Sequence, residues 1–173
     1  TDQNLTHTEQ LKWAIFELYT AYTQLTKLDT SYDKRKFMHQ WQFVQLLQND
    51  IEYDKEHRSL ALLQIIIKIL IAVELHDEET AASGILQLKY FSARHLKQPE
   101  HYRHIQYCRL LQQLAKAQFI YEQIGMHQKY LLRLKNTPFR LDNATDSLEI
   151  IPYNQLWQLT LASCAAFSVS KLV

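Results

Sequence analysis

The residues best equipped for chemistry crowd into the stretch from Tyr90 to Lys116. Within it, His101, His104 and Cys108 recur at i, i+3, i+7, a spacing that places them on one face of a helix, with Glu100 adjoining. Two imidazoles and a thiolate form a zinc-type donor set, so this triad is the candidate metal site; a fourth ligand would have to come from another segment. A ferritin-like di-iron bundle would need Glu-x-x-His motifs on two helices. The sequence has none, the nearest approach being Asp54-Lys55-Glu56-His57. The simpler expectation is no metal and no cofactor, with first-turn histidines meeting solvent and Cys108 packing as a small hydrophobe.

A second grouping joins Arg94, followed by His95, to His101. It resembles the Arg-x4–6-His motif of the HEPN ribonucleases, small all-α bundles in which Arg and His from two chains meet. The resemblance covers these eight residues. It implies a metal-independent ribonuclease, with His101 as acid and base at the RNA 2′-hydroxyl and Arg94 stabilising charge on phosphorus. Pro99 departs from the pattern, because it interrupts the continuous helix the family usually places there.

Around both groupings runs the most basic part of the chain. Tyr90, Arg94, Lys97, Tyr102, Arg103, Tyr107 and Arg109 interleave cations with aromatic rings, and Glu100 is the only acid between Tyr90 and Phe119. Phosphate charge and base stacking would use such groups, which makes the stretch a candidate RNA-binding surface. The competing reading is a solvated helix face with tyrosines at its margin. Nucleophile elbows, phosphate-binding loops and dinucleotide fingerprints all need glycines, and the chain has only two.

Positioning these residues falls to helices. The chain has 173 residues, 21% of them charged, with a net charge of +1, two glycines and three prolines. It lacks the raw material for tight turns and barrel corners and is rich in the helix formers Leu and Gln. Thr6-His7-Thr8-Glu9 has capping-box spacing, and Leu11, Ile15, Leu18, Tyr22 and Leu25 follow as one stripe of a helix ending near Leu28. Asp29-Thr30-Ser31 offers caps for a second helix to about Asp50, with Phe37, Trp41, Val44 and Leu47 on one side. Asp54 is the expected cap of a third helix to about Leu75. It is apolar almost all round apart from a narrow stripe of Gln64 and Lys68, so it should lie at the centre.

Asp77-Glu78-Glu79 opens a fourth helix that stops before Pro99, and Pro99 opens a fifth that runs to Ile124 with Gly125 as its stop. Met126–Asn136 is a shorter helix, and Cys108–Pro138 resembles a tetratricopeptide unit, though no second copy follows. After a loop at 137–152, with one short extended segment near 148–151, a final helix begins at about Asn154. The fold class predicted is all-α: residues 1–173 as one helical domain, an up-and-down or stacked-hairpin bundle of six to seven helices.

Cys108 and Cys164 sit among apolar residues and read as two buried free thiols, which points to a reducing compartment. Leu60–Leu75 is too short and Leu156–Val173 too polar to span a bilayer, so no membrane association is expected and the expected location is the cytoplasm. The chain starts at Thr1, which is compatible with a removed leader or tag. The function predicted is a non-enzymatic helical interaction or adaptor module whose partner is another protein or a second copy of itself. A docking groove is expected near Trp13, Trp41 or Trp157. The HEPN-like RNA-cleaving or RNA-binding bundle is the alternative.

Overall fold

Thr6 starts the first helix by the chemistry its spacing implies. Its hydroxyl accepts the Glu9 N–H at 3.3 Å, and the Glu9 carboxylate accepts the Thr6 N–H at 2.8 Å, closing the capping box. The structure, a computed structural model, describes residues 6–28, 32–40, 51, 57–97, 99–124, 128–138 and 149–170. Helix α1 (His7–Leu25) buries Ile15, Leu18, Tyr22 and Leu25 of the predicted stripe together with Tyr19, while Leu11 at its start is half-buried. Asp33 caps a short α2 (Lys34–His39) by accepting the Lys36 N–H. The expected continuation of that helix to Asp50, with Trp41, Val44 and Leu47, lies outside the described residues, as does the expected Asp54 cap.

Helix α3 (Arg58–Glu74) begins after His57, which makes no side-chain capping bond. It is buried nearly all round and packs against α1, α4 (Glu78–His95) and α8 (Tyr153–Ser170), so it is the central helix. Gln64, expected in a polar stripe, is fully buried instead. Its side-chain oxygen accepts the Ile51 N–H at 2.9 Å, the condition under which an amide can be taken from water. At Gly84 an added Cβ would stand 2.8 Å from Ile69 Cγ1, so this glycine lets α3 and α4 approach closely.

His76 closes α3 in a left-handed conformation, φ 56°, a position usually given to glycine. The Asp77 N–H bonds the Ala72 carbonyl at 2.9 Å and the His76 N–H bonds that of Val73 at 3.1 Å. Asp77 then caps α4 by accepting the Thr80 N–H. Helix α4 ends at His95, and a 3-10 turn at Pro99–His101 leads into α5 (Tyr102–Lys116).

The predicted fifth helix, Pro99 to Ile124, is broken. It ends at Lys116, and Gln118 (φ 50°) and Phe119 (φ 58°) turn the chain before a single-turn α6 (Tyr121–Ile124). Phe119 is buried, and burying its ring offsets the roughly 1–2 kcal/mol of a left-handed backbone. No glycine marks this turn in the sequence, and Gly125 lies outside the described residues. Helix α7 (Gln128–Asn136) packs on α5 and α8.

The extended segment expected near 148–151 is not a strand. Glu149–Ile151 form a bend, and the described residues contain no strand. The fold is all-α: α1, α4 and α8 pack around α3, while α5 packs on α4 and α7. One hydrophobic cluster draws on α1–α8. Among the described residues, no helix is long and apolar enough to cross a membrane.

Candidate functional site: the two faces of helix α5

Helix α5 turns Arg103, His104, Gln106, Tyr107, Cys108, Leu110, Leu111 and Leu114 inward, and Tyr102, Arg109 and Lys116 outward. On the inner face, Arg103 is the hub of a network. Its Nε and Nη2 meet the two Glu149 carboxylate oxygens at 2.5 and 3.0 Å, and Nη1 donates to the carbonyls of Leu134, at 3.0 Å, and Thr137. The Glu149 carboxylate also accepts the Tyr153 N–H at 3.1 Å. A cation thus meets carbonyls at the C-terminal end of α7 while its carboxylate partner sits at the N-terminus of α8, both favourable against the helix dipoles.

Next to it, His104 is fully buried with Nδ1 2.6 Å from the Tyr153 hydroxyl. The Tyr153 ring stacks on Tyr107 at a centroid distance of 4.2 Å and an interplanar angle of 6°. Burial, and secondarily neighbouring phenols, raises the Tyr107 and Tyr153 phenols well above their ordinary range. Burial also pushes the Cys108 thiol up to about 12, so it stays protonated and unreactive near neutral pH.

These contacts decide what the zinc-like spacing amounts to. His104 and Cys108 lie on the inner face of α5, but His101 belongs to the 3-10 turn before it, and the His101 and His104 rings lie 6.1 Å apart. They do not converge on one point: His104 is engaged by Tyr153, and Cys108 is a neutral buried thiol. Among the described residues, no three His, Cys, Asp or Glu side chains are gathered to hold a metal ion.

Arg94 and His101 stand on separate elements, because the helix stops at His95 and resumes only with the turn at Pro99. Arg94 is exposed, while His101 is half-buried, and its buried Nδ1 has no hydrogen-bond partner among the described residues.

The basic-aromatic stretch divides. Tyr90 (65% exposed), Arg94, Lys97, Tyr102 (40%) and Arg109 are on the surface. Arg103 and Tyr107 are not; both belong to the core, which corrects their assignment to a binding face. Between α4 and α5 the surface opens into a groove of about 320 Å³, walled by Lys89, Ser92 and Ala93 on one side and Ile105, Arg109 and Gln112 on the other, over Leu96. The Arg109 guanidinium lies 5.6 Å from the Tyr130 ring centroid. Partial burial, followed by the charges of Arg58, Arg94 and Lys97, holds the nearby His95 imidazole below its ordinary value.

A second surface lies on α1. Trp13 (60% exposed) and Phe16 (47%) stand outside with ring centroids 6.2 Å apart, while the opposite side of α1 packs on α3. Their offset from the Leu11–Leu25 stripe was readable from periodicity. Trp157 is a core residue and Trp41 lies outside the described residues. Two polar links had no local signal at all. One is Arg103 with Glu149; the other is the buried Glu74 carboxylate, which receives Lys34 and the Ser163 hydroxyl and ties α3 to α2 and α8.

No protein-family model, curated protein or solved structure matches the chain.

Proposed function

We propose that this chain is a non-catalytic helical interaction module that engages another protein through the outer face of α1. The observation that carries the reading is the Trp13–Phe16 pair: two large rings in contact with each other and left to solvent. Trp is among the residue types enriched in the few positions that carry most interface binding energy, and Trp and Phe each bury on the order of 150–250 Å² when covered. The inner face of α5 supports the non-catalytic part. Its histidine is bonded to a tyrosine, its thiol is protonated and its arginine is held by a carboxylate. We place the module in the cytoplasm, a reading supported by two buried, unbridged cysteines.

The test is photo-cross-linking from a benzoylphenylalanine at position 13, with the captured protein identified by mass spectrometry. One defined partner, or a second copy of the chain, is expected, and the cross-link should disappear in Phe16→Ala at unchanged helical content. Cross-links spread over many abundant proteins, or indifferent to Phe16→Ala, would overturn the reading.

A further inference from the structure

We propose that the groove between α4 and α5 receives an acidic peptide segment, which inserts an apolar side chain between Lys89 and Arg109. This rests on the interaction-module reading for its class of partner and uses a surface distinct from α1. Lys89 and Ala93 on α4 and Leu96 just past its end recur at i, i+4, i+7 and line the groove with Ile105, Arg109 and Gln112, which repeat the same spacing on α5. The cleft of about 320 Å³ lies over buried Leu96, with Ala93 and Ile105 as the apolar parts of its walls, and each wall carries one cation. Leu86 (49%) and Tyr90 on α4 and Tyr102 on α5 are further exposed apolar side chains of these two helices.

The charges here are unspent. Lys89, Arg94, Lys97, Arg109 and Lys116 form no ion pair with any described residue. Between Glu79 and Glu122 the chain has one carboxylate, Glu100. Arg109 is already positioned by the Tyr130 ring, which lowers the ordering cost of binding. Cations facing each other across an apolar floor complement a segment whose carboxylates flank an apolar anchor, the helix-in-groove mode of recognition. Nucleic acid carries a charge at every residue and asks for a continuous cationic track. Here one cation and one ring of the basic-aromatic stretch, Arg103 and Tyr107, are buried in the core and not offered to a ligand.

The experiment measures fluorescence anisotropy of four labelled probes against the full chain. They are a roughly 16-residue peptide with Leu at i, i+3, i+7 flanked by Glu, its scrambled form, its Lys-for-Glu form, and an oligouridylate of about 12 nucleotides. The patterned acidic peptide should bind saturably and lose affinity as salt rises. Lys89→Glu/Arg109→Glu should weaken it at least about tenfold and shift preference to the lysine peptide. Lys89→Gln/Arg109→Gln, checked by thermal melting, serves if the reversal disturbs folding. Phe16→Ala should leave peptide binding unchanged while abolishing the cross-link from position 13, so the two readings fail separately. The proposal is overturned if no probe binds, if patterned and scrambled peptides bind alike, if both groove variants bind as wild type, or if only the oligouridylate binds.

Discussion

Arg103 and Arg109 lie six residues apart on one helix and occupy opposite kinds of surroundings. Arg103 is buried, with a bidentate carboxylate and two helix-end carbonyls filling its donor fork. Arg109 is exposed, rests on an aromatic face and has no carboxylate among the described residues. The first joins α5, α7 and α8 and has nothing left to offer a ligand. The second contributes little to holding the fold and keeps its charge available. The comparison teaches that cationic residue type indicates function only after the fold has decided which cations are already neutralised.

The largest effect should separate these two arginines. Arg103→Ala leaves Glu149 buried without its cation and should cost about 3–5 kcal/mol, against at most about 0.5 kcal/mol for Arg109→Ala, both read from urea denaturation midpoints. Equal losses would erase the distinction between the two faces.

The inner face should also reveal itself at high pH. Burial raises the phenols of Tyr19, Tyr22, Tyr107 and Tyr153, with the Glu74 charge adding to it at Tyr22. Because the folded state favours the neutral phenol, the stability these groups contribute is fully present below the unfolded value of about 10. It falls as pH rises beyond that. Phenolate absorbance should therefore show exposed tyrosines such as Tyr90 titrating first and these four appearing only with loss of helical signal. A single transition for all ten tyrosines, with the helices intact, would contradict the assignment.

A smaller effect sharpens the contrast between tyrosines. Tyr153→Phe removes the hydroxyl from fully buried His104 and should cost about 1–3 kcal/mol, whereas Tyr90→Phe should change stability by less than about 0.5 kcal/mol. Thermal or urea unfolding of the pair measures the difference. If Tyr153→Phe is neutral, the His104 contact adds nothing to the fold.

Much of this architecture was legible because it is written in local terms. The Thr6 capping box, the Asp77 cap and the all-round apolar pattern of α3 depend on side chains within a turn or two of one another, so spacing suffices to find them. The break at Gln118–Phe119 was illegible for a related reason. Two non-glycine residues adopt left-handed backbone only because the surrounding core accepts the Phe119 ring, and no local composition signals that. Of the residues proposed for binding, the run of interleaved cations and aromatic rings found the exposed Tyr90, Arg94, Lys97, Tyr102 and Arg109, but it also included Arg103 and Tyr107. It left out Lys89, the opposite wall of the groove.

The sequence by itself determined a set of amphipathic helices, the central place of α3, and a stretch of chain nearly free of acids. Tertiary structure alone decided which polar groups are used up. Glu149 reaches Arg103 across 46 residues, and Ser163 reaches Glu74 across 89. A charge is neutralised by what lies within a few ångströms in space, and separation along the chain carries no record of that distance.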